Sequence, residues 1–233
     1  MKKHAIVTDR ANLPGADAAR APRPLLGATF EGAAVSAAQL PTDGIAEIAF
    51  AGRSNTGKSS AINALARQRG LAFASRTPGR TQQLNFFRLR GAGRVVDLPG
   101  YGYAAVSKDV KREWQTFLWD YVTTRATLVG LVLIVDARHG IKPLDRQILQ
   151  GFGASSRSLL VLATKSDKLN VSQRRDAVMD IRAAMRDMGF GDAIDVVAFS
   201  ATTPLGIAEA DRVLQSWLPE ADNDRKRPRD QGE

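Results

Sequence analysis

The sequence predicts a three-layer α/β fold: a mostly parallel six-stranded sheet with one antiparallel edge strand, covered by helices on both faces. Three observations lead there. Short apolar runs alternate with amphipathic segments of helix length from residue 45 to residue 218, the pattern of strand–helix–strand units. Leu128–Val135 is almost wholly apolar, as a central parallel strand buried on both faces must be. Gln83–Leu89 and Arg94–Leu98 are joined by a turn holding Gly91 and Gly93, which predicts a hairpin and hence the antiparallel strand.

Taken in order, residues 1–26 are rich in Ala, Arg and Pro, and Pro14, Pro22 and Pro24 interrupt any regular element. They read as a disordered extension. Residues 27–44 form a lead-in segment in which Phe30, Val35 and Leu40 cover part of the core. A short helix is expected there across Val35–Gln39, stopped by Pro41. The first strand is Ile45–Phe50, followed by a glycine-bearing loop and a helix from Ser59 to about Arg69. Residues 70–82 are a turn-rich loop around Pro78 and Gly79, and the hairpin strands follow. A helix over Lys108–Thr124 carries Trp114, Phe117, Leu118 and Tyr121 near one face, with Trp119 to the side; core packing explains these aromatics. The strand Leu128–Val135, a helix over Leu144–Phe152, the strand Leu159–Ala163, a helix near Val171–Met188, the strand Asp195–Phe199 and a last helix, Gly206–Leu218, complete the domain. The folded unit is expected to span 27–218, with a charged, disordered tail over 219–233.

A chain of 233 residues can bury one sizeable core. It contains no cysteine, which excludes disulfides, thiolate zinc sites and cysteine nucleophiles and fits a reducing, cytoplasmic setting. No run approaches the roughly 18 apolar residues of a membrane span. Lys2 and Lys3 have no apolar stretch behind them, which argues against a signal peptide. The formal charge is +9. Of 33 basic and 24 acidic side chains, five and two lie in 1–26 and four and five in 220–233, leaving 24 against 17 between them. The excess therefore belongs to the folded part. It favours a polyanionic partner such as RNA, the plainer alternative being a soluble basic enzyme.

The most informative stretch is Gly52-Arg53-Ser54-Asn55-Thr56-Gly57-Lys58-Ser59. It matches the phosphate-loop pattern G-x-x-x-x-G-K-[ST] between a strand and a helix. Backbone N–H groups crowded at a helix N-terminus meet a polyphosphate with aligned dipoles. Gly52 and Gly57 let the backbone curl around the phosphates, Lys58 reaches the β- and γ-phosphates, and the Ser59 hydroxyl takes a Mg2+ position. The loop does not choose between ATP and GTP. Asp97, ending a Val-rich strand in Asp97-Leu98-Pro99-Gly100, is placed to hold Mg2+ directly or through water. The Gly100 N–H is available to a terminal phosphate. The glycines at 100 and 102 allow a large backbone change there on loss of the γ-phosphate.

Thr164-Lys165-Ser166-Asp167 directly follows an apolar strand. The Asp167 carboxylate suits guanine N1–H and its 2-amino group; adenine would leave a buried charge unpaired. Lys165 lays its stem along the base, and Ala201, after Phe199-Ser200 at another strand end, can offer its N–H to guanine O6. With these motifs the chain resembles a P-loop NTPase with a Ras-like G domain. Together with Pro78-Gly79-Arg80-Thr81-Gln82 and Pro99-Gly100-Tyr101-Gly102-Tyr103, the chain resembles the EngB (YihA/YsxC) family of bacterial ribosome-assembly GTPases. That family falls within the TrmE-Era-EngA-EngB-Septin-like class. The likeness covers roughly residues 25–218.

The resemblance implies GTP and GDP as ligands, Mg2+ as cofactor, and the large ribosomal subunit or its precursor as partner. DNA is not expected, and the free protein is expected to be a monomer. It implies that Thr81 is the first-switch threonine, binding Mg2+ alongside Ser59 and sensing the γ-phosphate, with Thr77 as the rival. Gly79, Arg80, Gln82, Gln83, Phe199, Ser200 and Ala201 join the nucleotide-binding set, residues 97–106 form the second switch, and Lys58, Thr81 and Gly100 carry catalysis. It also implies a requirement for normal septation, downstream of ribosome assembly. Tyr101 stands where many regulatory GTPases carry a water-orienting Gln, so intrinsic turnover should be slow and raised by a partner. Asn55 implies K+ near the phosphates, or it caps its own loop.

Other residues receive plainer readings. His139 is a loop residue rather than a catalytic base, and Asp136 is structural. Arg53, Arg76, Arg80, Lys108, Lys111 and Arg112 either contact RNA phosphates or solvate the surface. Two alternatives stand beside the ribosomal GTPase. One is a nucleotide-dependent interaction switch of the division machinery without ribosome contact. The other is a metabolic P-loop kinase, against which Asp167 and Ala201 speak.

Overall fold

A computed structural model of the chain describes residues 22–73, 83–91, 93–101, 108–153, 157–191 and 194–219, with side chains throughout except at 108–114. The strands are β1 (Thr29–Ala34), β2 (Glu47–Gly52), β3 (Leu84–Arg88), β4 (Arg94–Asp97), β5 (Leu128–Asp136), β6 (Ser158–Thr164) and β7 (Asp195–Ala198). The helices are α1 (Lys58–Ala66), α2 (Lys108–Thr124), α3 (Pro143–Gly153), α4 (Val171–Asp187) and α5 (Ile207–Trp217). Single 3-10 turns occur at Ala37–Gln39 and Ser166–Lys168.

The sheet order is β1-β3-β4-β2-β5-β6-β7. From β4 to β7 every neighbouring pair is parallel, whereas β3 runs antiparallel to both β1 and β4. Two expectations are corrected here. The sheet has seven strands rather than six, and the antiparallel strand lies inside the edge because β1 covers it. The stretch read as a lead-in with a helix over Val35–Gln39 is instead a strand and a 3-10 turn. Its signal was weak because Gly32, Ala33 and Ala34 lack β-branched or aromatic character, and the β1–β3 register slips between Phe30 and Gly32.

The central strands explain the layering. Leu131, Leu133 and Val135 of β5 pack into a core with Leu118, Tyr121, Leu149, Phe152, Ile181 and Met185 from α2, α3 and α4. The alternate residues Val132 and Ile134 enter a second core with Ile62, Leu65, Ala210 and Leu214 from α1 and α5. Each such side chain contributes about 1.5–3 kcal/mol when removed from water. A strand facing two helical layers has no polar side, which is why its sequence does not alternate. Trp119 is 48% exposed, yet its indole edge leaves no room for a Cβ on Gly151 of α3.

Ionic groups join the feet of the strands. Glu47, with no exposed surface, accepts from Arg125 Nη2 at 2.6 Å, Arg125 Nε at 3.0 Å and the Tyr121 hydroxyl at 2.8 Å. Arg94, 1% exposed, donates Nε to Glu31 at 2.6 Å and Nη2 to Asp43 at 2.7 Å, and its Nη1 lies 3.5 Å from Glu47. Glu31 and Asp43 both come from the segment around β1, so that segment supplies counter-charge to a buried cation.

Asp211 of α5 is buried differently. It is 1% exposed, and its Oδ1 has no hydrogen-bond partner among the described residues. Burial lifts its pKa from 3.8 to about 6, against the opposing charges of Arg67 and Arg23. The folded state thus holds this proton more tightly than the unfolded chain does. Ionisation therefore costs stability above about pH 6, and the cost fades as the pH falls through 6 toward 3.8. Asp211→Asn is expected to raise stability at pH 7.5 by on the order of 1–3 kcal/mol. Thermal melts across pH 4–8 check this: a gain that does not shrink at the acid end contradicts the assignment.

Candidate functional site

The site forms at the carboxyl ends of β2, β4, β5, β6 and β7, where the chain leaves the sheet in loops. At the end of β2, Gly52 has no space for a side chain. A Cβ on Gly52 would lie 2.9 Å from the Ile134 carbonyl and 2.9 Å from Thr56 Oγ1. Thr56 closes the loop on itself, its N–H and hydroxyl reaching the Arg53 carbonyl at 3.2 and 2.7 Å. Asn55 takes φ +66° and Gly57 φ +95°. The left-handed turn at Gly57, costly for a residue with a Cβ, lets α1 begin at once, with Ala61 N–H bonding back to the Gly57 carbonyl at 2.8 Å. The N–H groups of Lys58, Ser59 and Ser60 consequently have no partner within the helix. They face out of its N-terminus, an arrangement that receives anions.

Lys58 Nζ donates to the Asp97 carboxylate, and both side chains are nearly buried, at 9% and 5% exposure. Burial pushes the Asp97 carboxyl up, with Lys58 opposing the shift. Beyond it, Leu98 is buried and its N–H bonds to the Phe50 carbonyl at 3.0 Å, while Pro99 and Gly100 are half-buried. Gly100 lies against Ser54, where a Cβ would stand 3.0 Å from Ser54 Oγ. The Asp97 carboxylate at the end of β4 and the Ser59 hydroxyl in the first turn of α1 are hard-oxygen donors of the kind Mg2+ takes. The residues present fit that ion.

The third part lies after β6. Thr164, 3% exposed, has its hydroxyl 2.5 Å from the Thr56 carbonyl and 3.0 Å from the Val135 carbonyl. Lys165, at φ +58°, sends its ammonium to the Asn55 carbonyl at 2.7 Å and to Asp136 Oδ2 at 3.0 Å. Burial alone would push the Asp136 carboxyl up, but hydrogen bonds from Arg138 and Lys165 hold it well below the usual carboxylate range. Ser166 is fully buried, with its hydroxyl on the Ala163 carbonyl at 2.7 Å. Asp167 is fixed by Ser200, whose hydroxyl donates to Asp167 Oδ1 at 2.8 Å. That bond is the main reason the Asp167 carboxyl is held low. Phe199 is buried under this turn, its carbonyl accepting the Ser166 N–H at 3.1 Å, and Ala201 is exposed beside it.

The structure thus brings together residues 52–59, 97–100, 164–167 and 199–201. Gly79, Arg80, Thr81 and Gln82, with the rival Thr77, lie outside the described residues, as do Arg76, Gly102 and Tyr103. Gln83 begins the next described stretch and donates its amide to Asn85 Oδ1 at 2.9 Å. His139 borders a cavity of about 510 Å³ between residues 137–141 and α4, lined also by Arg138, Gln173, Asp176 and Asp180. No residue of the phosphate loop lines that cavity. Among the described residues no group of three or more His, Cys, Asp or Glu could hold a metal ion. Sequence reasoning missed Asp136 as the partner of Lys165. Its register opposite Thr164 on β6 was the available signal, since aligned strand ends place their last side chains together.

Comparison with known proteins follows the same outline. Residues 47–165 match a family model described as "50S ribosome-binding GTPase". The "Probable GTP-binding protein EngB" of Tolumonas auensis is 50% identical over 183 residues, covering 78% of this chain and 85% of that protein. The chain belongs to the EngB family of GTP-binding proteins. It is a P-loop GTPase. The EngB protein of Azoarcus sp. strain BH72 is 47% identical over 82% of this chain and 91% of its own. Among solved structures, a probable GTP-binding protein engB aligns at TM-score 0.59 and 20% identity, covering 74% of this chain and 98% of that one. Era in complex with MgGDPNP and a fragment of 16S ribosomal RNA aligns at TM-score 0.57 and 18% identity, covering 76% and 58%. At such identities these two structures speak for the fold. No helix among the described residues is long and apolar enough to cross a membrane.

Thr164 is the tie between the two halves of this EngB site. Thr164→Val preserves shape and removes the hydroxyl from the Thr56 carbonyl, leaving a buried acceptor unpaired at a cost of about 1–3 kcal/mol. We expect lowered thermal stability together with guanine-nucleotide affinity weaker by roughly tenfold, measured by titration with a fluorescent GDP analogue.

Proposed function

We propose that this EngB-family GTPase acts in the cytoplasm as a nucleotide-dependent switch on the large ribosomal subunit or its precursor, with septation depending on that role. The observation that carries the reading is the double tie of Thr164 and Lys165 to the phosphate loop. It sets an aspartate suited to guanine at a fixed distance from a loop suited to phosphates. The printed description of the matching family model and the net positive charge of the folded part support the ribosomal partner.

In this reading Asp167 accepts from guanine N1–H and the 2-amino group, the Ala201 N–H meets O6, and the Lys165 stem lies along the base. The N–H groups of Asn55, Gly57, Lys58 and Ser59 and the Lys58 ammonium surround the phosphates, while the Ser54 and Thr56 N–H groups stay on the Tyr101 and Arg53 carbonyls. Mg2+ would be held by Ser59 and Thr81, with Asp97 directly or through water. When bound, it would neutralise charge on the β- and γ-phosphate oxygens. Water attacks the γ-phosphorus, a new P–O bond forms, the bond to the β–γ bridging oxygen breaks, and GDP and phosphate leave. Lys58 and the loop N–H groups stabilise the charge passing to the leaving oxygen, and Gly100 and Thr81 receive the γ-phosphate. Gly79, Arg80, Gln82 and Gln83 belong to the first switch on this account. Turnover by the free protein is slow. K+ near Asn55, whose side chain is exposed, adds positive charge at the phosphates, and comparing rates in KCl and NaCl tests it.

Two experiments decide. Asp167→Asn exchanges an acceptor for a donor, so GTP should weaken by 10²-fold or more, by analogy with sites built to hydrogen-bond a substrate group. Xanthosine triphosphate, which presents a carbonyl where guanine has its amine, should gain. An unchanged preference removes Asp167 from the base site. Co-sedimentation with ribosomal particles at fixed salt should show binding to the large subunit selective for a non-hydrolysable GTP analogue over GDP. Absence of binding in every nucleotide state, with GTP binding intact, would move a protein client in the division machinery to the front.

A further inference from the structure

Tyr101 follows Gly100 directly, yet its side chain reaches α3. Its ring packs against the core beneath α2, α3 and α4, and its hydroxyl donates to Asp145 Oδ1 at 2.6 Å. Asp145, in the first turn of α3, is 2% exposed, and its other oxygen accepts the Lys142 N–H at 2.8 Å. The carboxylate therefore has one partner from Lys142, just before its own helix, and one from the segment after Asp97. The backbone of Tyr101 is held as well. Its carbonyl accepts the Ser54 N–H at 3.1 Å, and Arg53 and Tyr101 form an isolated parallel bridge. The Arg53 charge favours the ionised form of both Tyr101 and Asp145, although burial is the larger influence on each and pushes both pKa values up.

These contacts leave Tyr101 fastened on two sides. One fastening is to the phosphate loop through the main chain, the other to α3 through the phenol. Gly100 sits between them, pressed against Ser54. We infer that Asp145 is a positioning residue for the GTPase reaction: by holding the Tyr101 phenol it fixes Gly100 against the phosphate loop, and Tyr101 serves as a tether instead of a water-orienting group. The inference rests on the proposed role of Gly100 toward the γ-phosphate. A tether of this kind acts on the triphosphate form selectively, since GDP has no γ-phosphate to meet Gly100. It also carries the position of Gly100 to the start of α3, on the far side of the sheet from α1.

The test uses the full-length chain and the variants Tyr101→Phe, Asp145→Asn and the double variant. GDP and a non-hydrolysable GTP analogue are titrated by fluorescence, kcat and KM are measured for GTP, and melting is followed for each protein. A bond to a charged acceptor that helps the triphosphate form is expected to change affinity by roughly tenfold. Tyr101→Phe should weaken the analogue by about that factor and leave GDP affinity within about twofold. The double variant should be no worse than the more impaired single variant, because two residues acting through one bond are not additive. A tyrosine that orients water would lower kcat in Tyr101→Phe while Asp145→Asn stays near wild type, and that result overturns the inference. Equal losses for GDP and the analogue, tracking the melting temperature, also overturn it, as does an unchanged ratio of the two affinities. Should Asp145→Asn fail to fold, the affinity ratio of Tyr101→Phe alone decides. Failure of the wild-type chain to bind either guanine nucleotide would instead bring down the underlying reading of the site, and this inference with it.

Discussion

The carboxylate of Glu47, wholly out of water, stands at the beginning of the strand that delivers the phosphate loop. Its charge is balanced by Arg125, which follows α2, and by Arg94, which opens the strand delivering Asp97. Removing one partner of a buried pair costs about 3–5 kcal/mol, because the remaining charge is stranded. The feet of β2 and β4 are thus held in register far from the loops they carry, and Lys58 and Asp97 meet at the other end as a consequence. Tyr121, on the helix that follows the second glycine-rich loop, joins the same carboxylate. Charge at the far ends of the same strands thus braces the register that carries the site.

Above that base, the two chemical halves of the site are fastened directly to each other. Thr164 and Lys165 both reach carbonyls of the phosphate loop, and Asp136 with Arg138 restrains the lysine in turn. Positive φ at Asn55 and Lys165 occurs on the two partners of one hydrogen bond. Backbone held in a sparsely populated region persists where surrounding contacts over-determine it, and here each residue supplies the constraint on the other.

Much of this was legible in the chain. The buried strands announced themselves through unbroken apolar runs, and α2 has the bounds its amphipathic pattern predicted. The phosphate loop was readable because spacing, glycines and lysine are all local in sequence. What escaped was β1, whose small residues and register slip carry no strand signature, and with it the strand count and the placing of β3. Asp136, Arg138 and Asp145 also escaped as participants. Asp136 and Asp145 act through partners, Lys165 and Tyr101, brought near only by folding, 44 residues away along the chain in the case of Tyr101 and Asp145, and no local pattern encodes such a pairing; Arg138 acts through Asp136, two residues before it. Asp136 looked like a structural end-of-strand acid until its register opposite Thr164 was known.

The position of β1 has a mechanical meaning. β3 is the strand by which the chain returns to the sheet after residues 74–82, so any pull on that stretch arrives at Leu84. A strand at a sheet's margin yields to such a load by peeling, one pair of hydrogen bonds at a time. A strand with neighbours on both sides must be sheared, with both ladders resisting together. By covering β3, the unassuming sequence Thr29–Ala34 places that strand in the second situation. A load that reaches Leu84 is then resisted by both ladders, and the frame that holds Asp97 is spared.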